Sequence, residues 1–214
     1  MSDKTAQHNY DRLSRWYNLF AASEKHFTKA GLDMLNVRSG EHILEIGPGT
    51  GHALAALAHQ TRPTGLLAGV DISAGMLGVA RKRMQAEGVE RCAALIQGDA
   101  LHIPFVCGSF DAVFLSFTLE LFADIPAVLA ECQRVLKPDG RMGMVCMAKD
   151  ESLACRLYQC GHARWPSVLD CRPIHAEQWL SKAGFFVTAA HRQHMWGLPV
   201  DILVAEKTVS GQGA

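Results

Sequence analysis

The chain has no excess of charge of either sign. Its 21 Lys and Arg balance 21 Asp and Glu over 214 residues, with ten His besides. A composition without a basic surplus gives no footprint for nucleic acid, and no such partner is expected. No leader is read in the opening MSDKTAQHNYDRLSRW, which is polar and has no apolar core. No membrane-spanning segment is expected either. The longest apolar run, 110–130, is broken by Asp111, Glu120 and Asp124. Repeats are missing, and the sole low-complexity stretch is a short tail, TVSGQGA. The cysteines, at 92, 107, 132, 146, 155, 160 and 171, are odd in number and mostly lie within apolar patterns. A disulfide framework does not suit a chain long enough to build its own core, so reduced thiols and a cytoplasmic setting are expected. With 49% apolar and 20% charged residues the chain reads as one soluble domain over 1–214.

Strand-like and helix-like stretches alternate along the chain. Strands are predicted at 42–47, 66–71, 93–98, 110–116, 141–148, 185–191 and 200–206, with helices at 51–60, 74–88, 125–136 and 175–183. Short apolar strands separated by helices imply an α/β fold with a parallel sheet covered on both faces. Only RQHMWGLP separates the last two strands, too little for a helical crossover, so they are expected to pair antiparallel at one edge. A helical arm is predicted over 6–35, where Tyr10, Leu13 and Tyr17 fall at helical spacing beside Trp16 and Phe20. Residues 149–173 fit neither pattern and read as an insertion after the fifth strand, where long insertions often carry binding function.

The stretch HILEIGPGTGHALAALA crowds three glycines and a proline between a strand and a helix. Glycine permits positive φ and close backbone approach, and such a turn offers amides to a polar or anionic group. The dinucleotide fingerprint is G-x-G-x-x-G, but here Gly47, Gly49 and Gly51 give G-x-G-x-G, and His52 stands where the third glycine belongs. Strand two ends in GVDIS, which places Asp71 twenty residues beyond Gly51, where a carboxylate can accept from both ribose hydroxyls. Ser73 is a rival for capping the helix that follows. After strand three, QGDALHIPF puts Asp99 in reach of an exocyclic amine, with the Ala100 amide beside it.

The segments HILEIGPGTG, GVDIS, QGDALHIPF, FDAVFLS and LKPDGRM occur in the order found in class I S-adenosylmethionine-dependent methyltransferases. The chain most resembles the branch with the ubiquinone/menaquinone-biosynthesis C-methyltransferases and the soluble phospholipid N-methyltransferases. The match covers 40–150 and extends upstream through YDRLSRWYN. The resemblance implies a Rossmann-like, doubly wound seven-stranded sheet, mostly parallel with an antiparallel edge strand, helices on both faces and an N-terminal helical arm. It divides the chain into the arm (1–40), a cofactor-binding core (41–148), an acceptor-side insertion (149–173) and a last helix with edge strands (174–208). It implies S-adenosylmethionine as cofactor. Glu45, Gly47, Gly49 and Gly51 would hold the methionine end, Asp71 the ribose, Ile72, Asp99 and Ala100 the adenine. Ser116 and Phe117 would line the sulfonium side, and Tyr10 and Tyr17 would close over it.

The acceptor is less legible. The insertion offers Leu153, Leu157, Tyr158, Trp165, Val168 and Leu169, interleaved with Arg156, Arg164 and Arg172. A small apolar or aromatic molecule or a phospholipid head group fits both features. If the acceptor is a lipid, Arg12, Arg15, Trp16 and Phe20 could touch a membrane surface peripherally. No general base stands out among His102, His162, His175, His191 and His194, so no catalytic residue is assigned. Cys155, Cys160, His162 and Cys171 match no trusted zinc spacing and read as packing residues, so no metal is expected. An arsenite methyltransferase using those thiols and an NAD-dependent oxidoreductase are the weaker rivals. A non-catalytic cofactor- or partner-binding protein on the same fold is the stronger one.

Overall fold

The structure is a computed structural model and describes residues 17–61, 65–164 and 171–208. A first helix, α1 (Tyr17–Leu35), precedes a run of β1 (Ile43–Ile46), α2 (His52–Thr61), β2 (Leu67–Asp71), α3 (Ala74–Ala86), β3 (Ala93–Gln97) and β4 (Phe110–Ser116). Then follow α4 (Ile125–Val135), β5 (Leu136–Met147), α5 (Leu153–Arg164), α6 (Ala176–Lys182), β6 (Phe185–Met195) and β7 (Leu198–Lys207). The seven strands form one sheet in the order β3-β2-β1-β4-β5-β7-β6. β1 to β5 pair in parallel, whereas β7 pairs antiparallel with both β5 and β6. The expected hairpin is at the sheet's edge, and its reversed strand is the second from the end. Among the described residues no helix is long and apolar enough to cross a membrane.

Alternation along each strand divides the core in two. Leu44, Ile46, Val113, Leu115, Met142 and Met144 face α4 and α6, with Val128, Leu129 and Leu180 against them. Ile43, Phe114 and Val145 face the other way, onto Phe27, Leu32 and Leu35 of α1 and Leu54 and Leu57 of α2. All four residues of β1 are buried, as a central parallel strand covered on both sides requires. Burial of each such Leu, Ile or Phe side chain stabilises the fold by roughly 1.5–3 kcal/mol.

Three elements depart from the sequence reading. β5 begins at Leu136, five residues before the predicted start. The Lys-Pro-Asp-Gly turn is a bulge within it, because pairing with β4 jumps from Phe110–Leu136 to Ala112–Arg141. Lys137 Nζ fastens that bulge by donating to both carboxylate oxygens of Asp111 at 2.8 Å. Half of the 149–173 insertion is helical, as α5, with Cys155 buried beneath it. α1 covers 17–35, and its end is tied to the sheet by Arg141. That guanidinium donates to the Leu35 and Asn36 carbonyls and to both oxygens of Glu41, all within 2.9 Å. Tyr10, Leu13, Trp16, Trp165, Val168 and Leu169 lie outside the described residues.

Candidate functional site

A cavity of about 400 Å³ opens at the carboxyl ends of β1, β2 and β4. β1 has β2 on one side and β4 on the other, so this is where the strand order reverses. Open α/β sheets place ligands at that switch point.

The loop after β1 sets the floor. Gly47 N–H donates to the Val70 carbonyl at 2.8 Å, which carries strand pairing one residue past the strand. Gly47 has φ +66°, and a Cβ there would stand 2.5 Å from Thr118 Cγ2, so conformation and space both require glycine. Gly51 also has positive φ, but it lies outside the cavity wall. A Cβ on it would meet Ala80 of α3 at 2.9 Å. Gly51 thus lets α2 and α3 pack closely.

Glu45, next to last in β1, lines the cavity and is 2% exposed. Its Oε2 is buried without a hydrogen-bond partner. Burial, with the charge of Asp71 adding to it, pushes this carboxyl up to about 8. Asp71 is held by the loops on either side of it. Its Oδ2 accepts from Gly49 N–H at 3.2 Å and its Oδ1 from Ser73 N–H at 2.9 Å. Ser73 caps α3 by accepting from Met76 N–H, so Asp71 is not the cap. Asp99 Oδ1 accepts from Leu101 N–H at 2.9 Å, which turns the chain sharply so that Ile72, Asp99 and Ala100 share one wall.

The opposite wall comes from the end of β4 and from α1. Phe117 adopts φ +50°, and its N–H donates to the Val145 carbonyl at 2.7 Å. This turn brings Ser116 and Phe117 onto the wall together. The Thr28 and Ser116 hydroxyls are 2.8 Å apart, and Phe27 packs edge-on against Phe117. Sequence reasoning expected the arm to reach the site through Tyr10 and Tyr17. Tyr10 is outside the described residues, and of Tyr17 only the backbone, as the first residue of α1, is described. Glu24, Lys25 and Thr28 of α1 do line the cavity, as do Thr118, Leu121 and Phe122 beyond β4. No aromatic or glycine spacing marks these residues, and only the tertiary fold brings them in.

His52 also stands in the wall, although the sequence showed it only as a missing glycine. Burial pushes its imidazole down to about 4, and the nearby Arg83 and Lys25 add to the effect. His102 is on the surface, its side chain 86% exposed and 3.9 Å from Asp99 Oδ2. His175, His191 and His194 are exposed and outside the wall. Cys155 is buried, Cys160 exposed and Cys171 between these extremes. Among the described residues no group of three or more His, Cys, Asp or Glu is placed to hold a metal ion.

Residues 44–144, from β1 to the middle of β5, match the family model described as a methyltransferase domain. That stretch is a little under half of the chain, and over it the chain is similar to methyltransferase domains. The demethylmenaquinone methyltransferase of Lactobacillus johnsonii is 35% identical over 137 residues, covering 64% of this chain and 55% of the relative. The nocamycin O-methyltransferase of Saccharothrix syringae is 34% identical over 167 residues, covering 75% and 57%. The chain thus spans little more than half the length of these curated relatives. Among solved structures, that of the cyclase SpnF superposes with a TM-score of 0.71 at 20% identity, covering 87% of this chain and 82% of that one. That likeness shows the fold, and the name of its bearer shows that the fold does not dictate one reaction.

Proposed function

We propose that the protein transfers the methyl group of S-adenosylmethionine to an apolar or aromatic small molecule in the cytoplasm, a quinone precursor being the favoured class. One observation carries the reading: a buried carboxyl oxygen without a hydrogen-bond partner, Glu45 Oε2, in the wall of the switch-point cavity. Burial keeps this carboxyl protonated, and a bound ammonium beside it would draw it into its charged form. The amino-acid tail of S-adenosylmethionine brings such a group. Asp71 would accept from ribose hydroxyls; a carboxylate offers about four acceptor positions, and its amide bonds with Gly49 and Ser73 support this reading by fixing its orientation. Ile72, Asp99 and Ala100 form the adenine side, and Gly47 and Gly49 let backbone approach the tail. Gly51 completes that glycine turn at the methionine end.

When bound, this cofactor supplies a methyl group already activated by its positively charged sulfur. What remains for the protein is to hold the acceptor in line and to exclude water, and positioning can lower a barrier by roughly 7–11 kcal/mol. Ser116, Phe117 and Phe122 give the acceptor side one hydroxyl and two aromatic faces. That lining suits an aromatic ring better than a strongly charged head group. The relatives named for demethylmenaquinone support a quinone-type ring, and the O-methyltransferase supports an oxygen-bearing one. The arm, the core, the 149–173 segment and the closing strands form one functional unit in this reading, with α1 flanking acceptor entry.

Calorimetric titration with S-adenosylmethionine, S-adenosylhomocysteine and NAD tests the cofactor assignment. Micromolar binding of the first two with silence from NAD is the expected result, and the reverse pattern refutes it. Formation of S-adenosylhomocysteine with a reduced 1,4-naphthoquinone then tests the acceptor. Tight cofactor binding with no turnover across a broad acceptor panel would favour a non-catalytic binder.

A further inference from the structure

The end of β4 and the middle of α1 meet through two consecutive residues on each side. Phe27 packs edge-on against Phe117, and the Thr28 and Ser116 hydroxyl oxygens stand 2.8 Å apart. The left-handed backbone of Phe117, at φ +50°, is costly for a bulky residue, and strain of this kind clusters at functional sites. Here it turns Ser116 and Phe117 onto the cavity wall, where α1 brings Thr28 to meet them. Nearby hydroxyls are already committed. Thr118 donates to the Ser116 and Gly47 carbonyls at 2.9 and 3.4 Å, and Ser73 accepts from Met76 N–H. Thr28 and Ser116 differ from these. Among the described residues each hydroxyl has the other as its hydrogen-bond partner and no second one. Two hydroxyls carry two protons and four lone pairs, and their mutual bond uses one of each. One proton and three lone pairs therefore remain, and either oxygen can be the donor. By reversing its direction the pair can donate to a carbonyl oxygen or accept from a hydroxyl.

We propose that the Thr28–Ser116 pair determines acceptor specificity by hydrogen-bonding an oxygen carried on the acceptor's ring, while Phe117 and Phe122 flank the ring itself. The proposal rests on the reading of the cavity as a methyl-transfer site. It names what that site selects: aromatic rings bearing a hydroxyl or carbonyl group, over bare hydrocarbon rings of the same size. Both hydroxyl-bearing residues are half-buried. A ring without oxygen would displace water and leave their remaining proton and lone pairs without a partner, and that cost rejects it. The pair is split between two elements, so α1 belongs to the acceptor site as well as to the wall.

The test is fluorescence titration of the full chain, saturated with S-adenosylhomocysteine, using 1-naphthol and naphthalene as probes. The two share a ring system and differ in one hydroxyl. Wild type is expected to prefer 1-naphthol by roughly tenfold. A Thr28→Val/Ser116→Ala double variant should lose that preference, while naphthalene and S-adenosylhomocysteine stay within about twofold of their wild-type affinities. Thr28→Ser keeps the hydroxyl and should keep the preference, whereas a packing role would favour Thr28→Val. Equal wild-type affinity for the two rings, silence towards both, or retained preference in the double variant overturns the specificity pair while cofactor binding stands. An equal loss of both rings in the double variant overturns it too. Failure of S-adenosylhomocysteine to bind wild type overturns the methyl-transfer reading, and this proposal with it.

Discussion

The two walls of the cavity are built by different means. The loops after β1, β2 and β3 keep their shape through backbone amides that donate to near neighbours: Gly49 and Ser73 to Asp71, Leu101 to Asp99, Gly47 to Val70. The facing wall is a helix brought from far away in the chain. Thr28 meets Ser116, Phe27 meets Phe117, and Arg141 holds Leu35 and Asn36. The first wall can be ordered by the sheet itself, whereas the second depends on side chains that must find each other across the sequence. One wall should therefore fail sharply when a single atom is added, and the other should yield by degrees.

The largest effect is expected at Gly47. Gly47→Ala forces a Cβ into Thr118 at a strained φ, and should cost about 3–5 kcal/mol in urea unfolding and abolish cofactor binding. Gly49→Ala, with nothing nearer than the Gly47 carbonyl at 3.9 Å, should cost only about 1–2 kcal/mol. Equal losses at the two positions would mean that Thr118 is not what shapes the floor.

Asp71→Ala should weaken S-adenosylhomocysteine about a hundredfold by calorimetry, with the far-ultraviolet dichroism unchanged. Normal affinity in that variant would sink the ribose assignment.

Next comes a pH effect at Glu45. Its carboxyl is raised in the folded protein, so the fold keeps a proton that the unfolded chain releases above its ordinary value of 4.5. Wild-type stability should therefore fall as pH climbs from about 4.5 to about 8 and then level off. Glu45→Gln removes this titration, and the stability gap in its favour should widen over the same window by on the order of 3–5 kcal/mol. A gap independent of pH would show that Glu45 is not buried uncharged.

The smallest effect belongs to the far wall. Thr28→Val removes one hydroxyl pairing with Ser116 and should cost about 0.5–1.5 kcal/mol in stability, with cofactor affinity shifting about twofold. A collapse of binding there would erase the contrast between the walls.

That contrast also explains what could be read without coordinates. Alternating strands, the glycine turn, Asp71 and Asp99 were legible because each depends on local pattern: periodicity, a strained turn, an acid at a strand end. Every predicted strand is present, and most ends agree within a residue or two. β5 started early because a turn motif can be absorbed as a bulge when a neighbouring strand, fastened by Asp111 and Lys137, keeps pairing on either side. Gly51 has a packing use as well, and a glycine needed for helix packing looks identical in sequence to one needed for a ligand. Thr118, Lys25 and Thr28 carried no signal because their partners lie far off in the chain. His52 did carry one, as a broken fingerprint, but the sequence could not say what the break was for.

α1 is held at its last turn and packed along its described length. Arg141 clamps its last turn, while about 15 Å nearer its start, at 1.5 Å per residue, Lys25 meets the cavity. Between those points Phe27 and Thr28 bear on Phe117 and Ser116 at the end of β4. The helix is therefore a beam pinned at several points, and its seat over the cavity is shared among an ion pair, a ring contact and a hydroxyl pair.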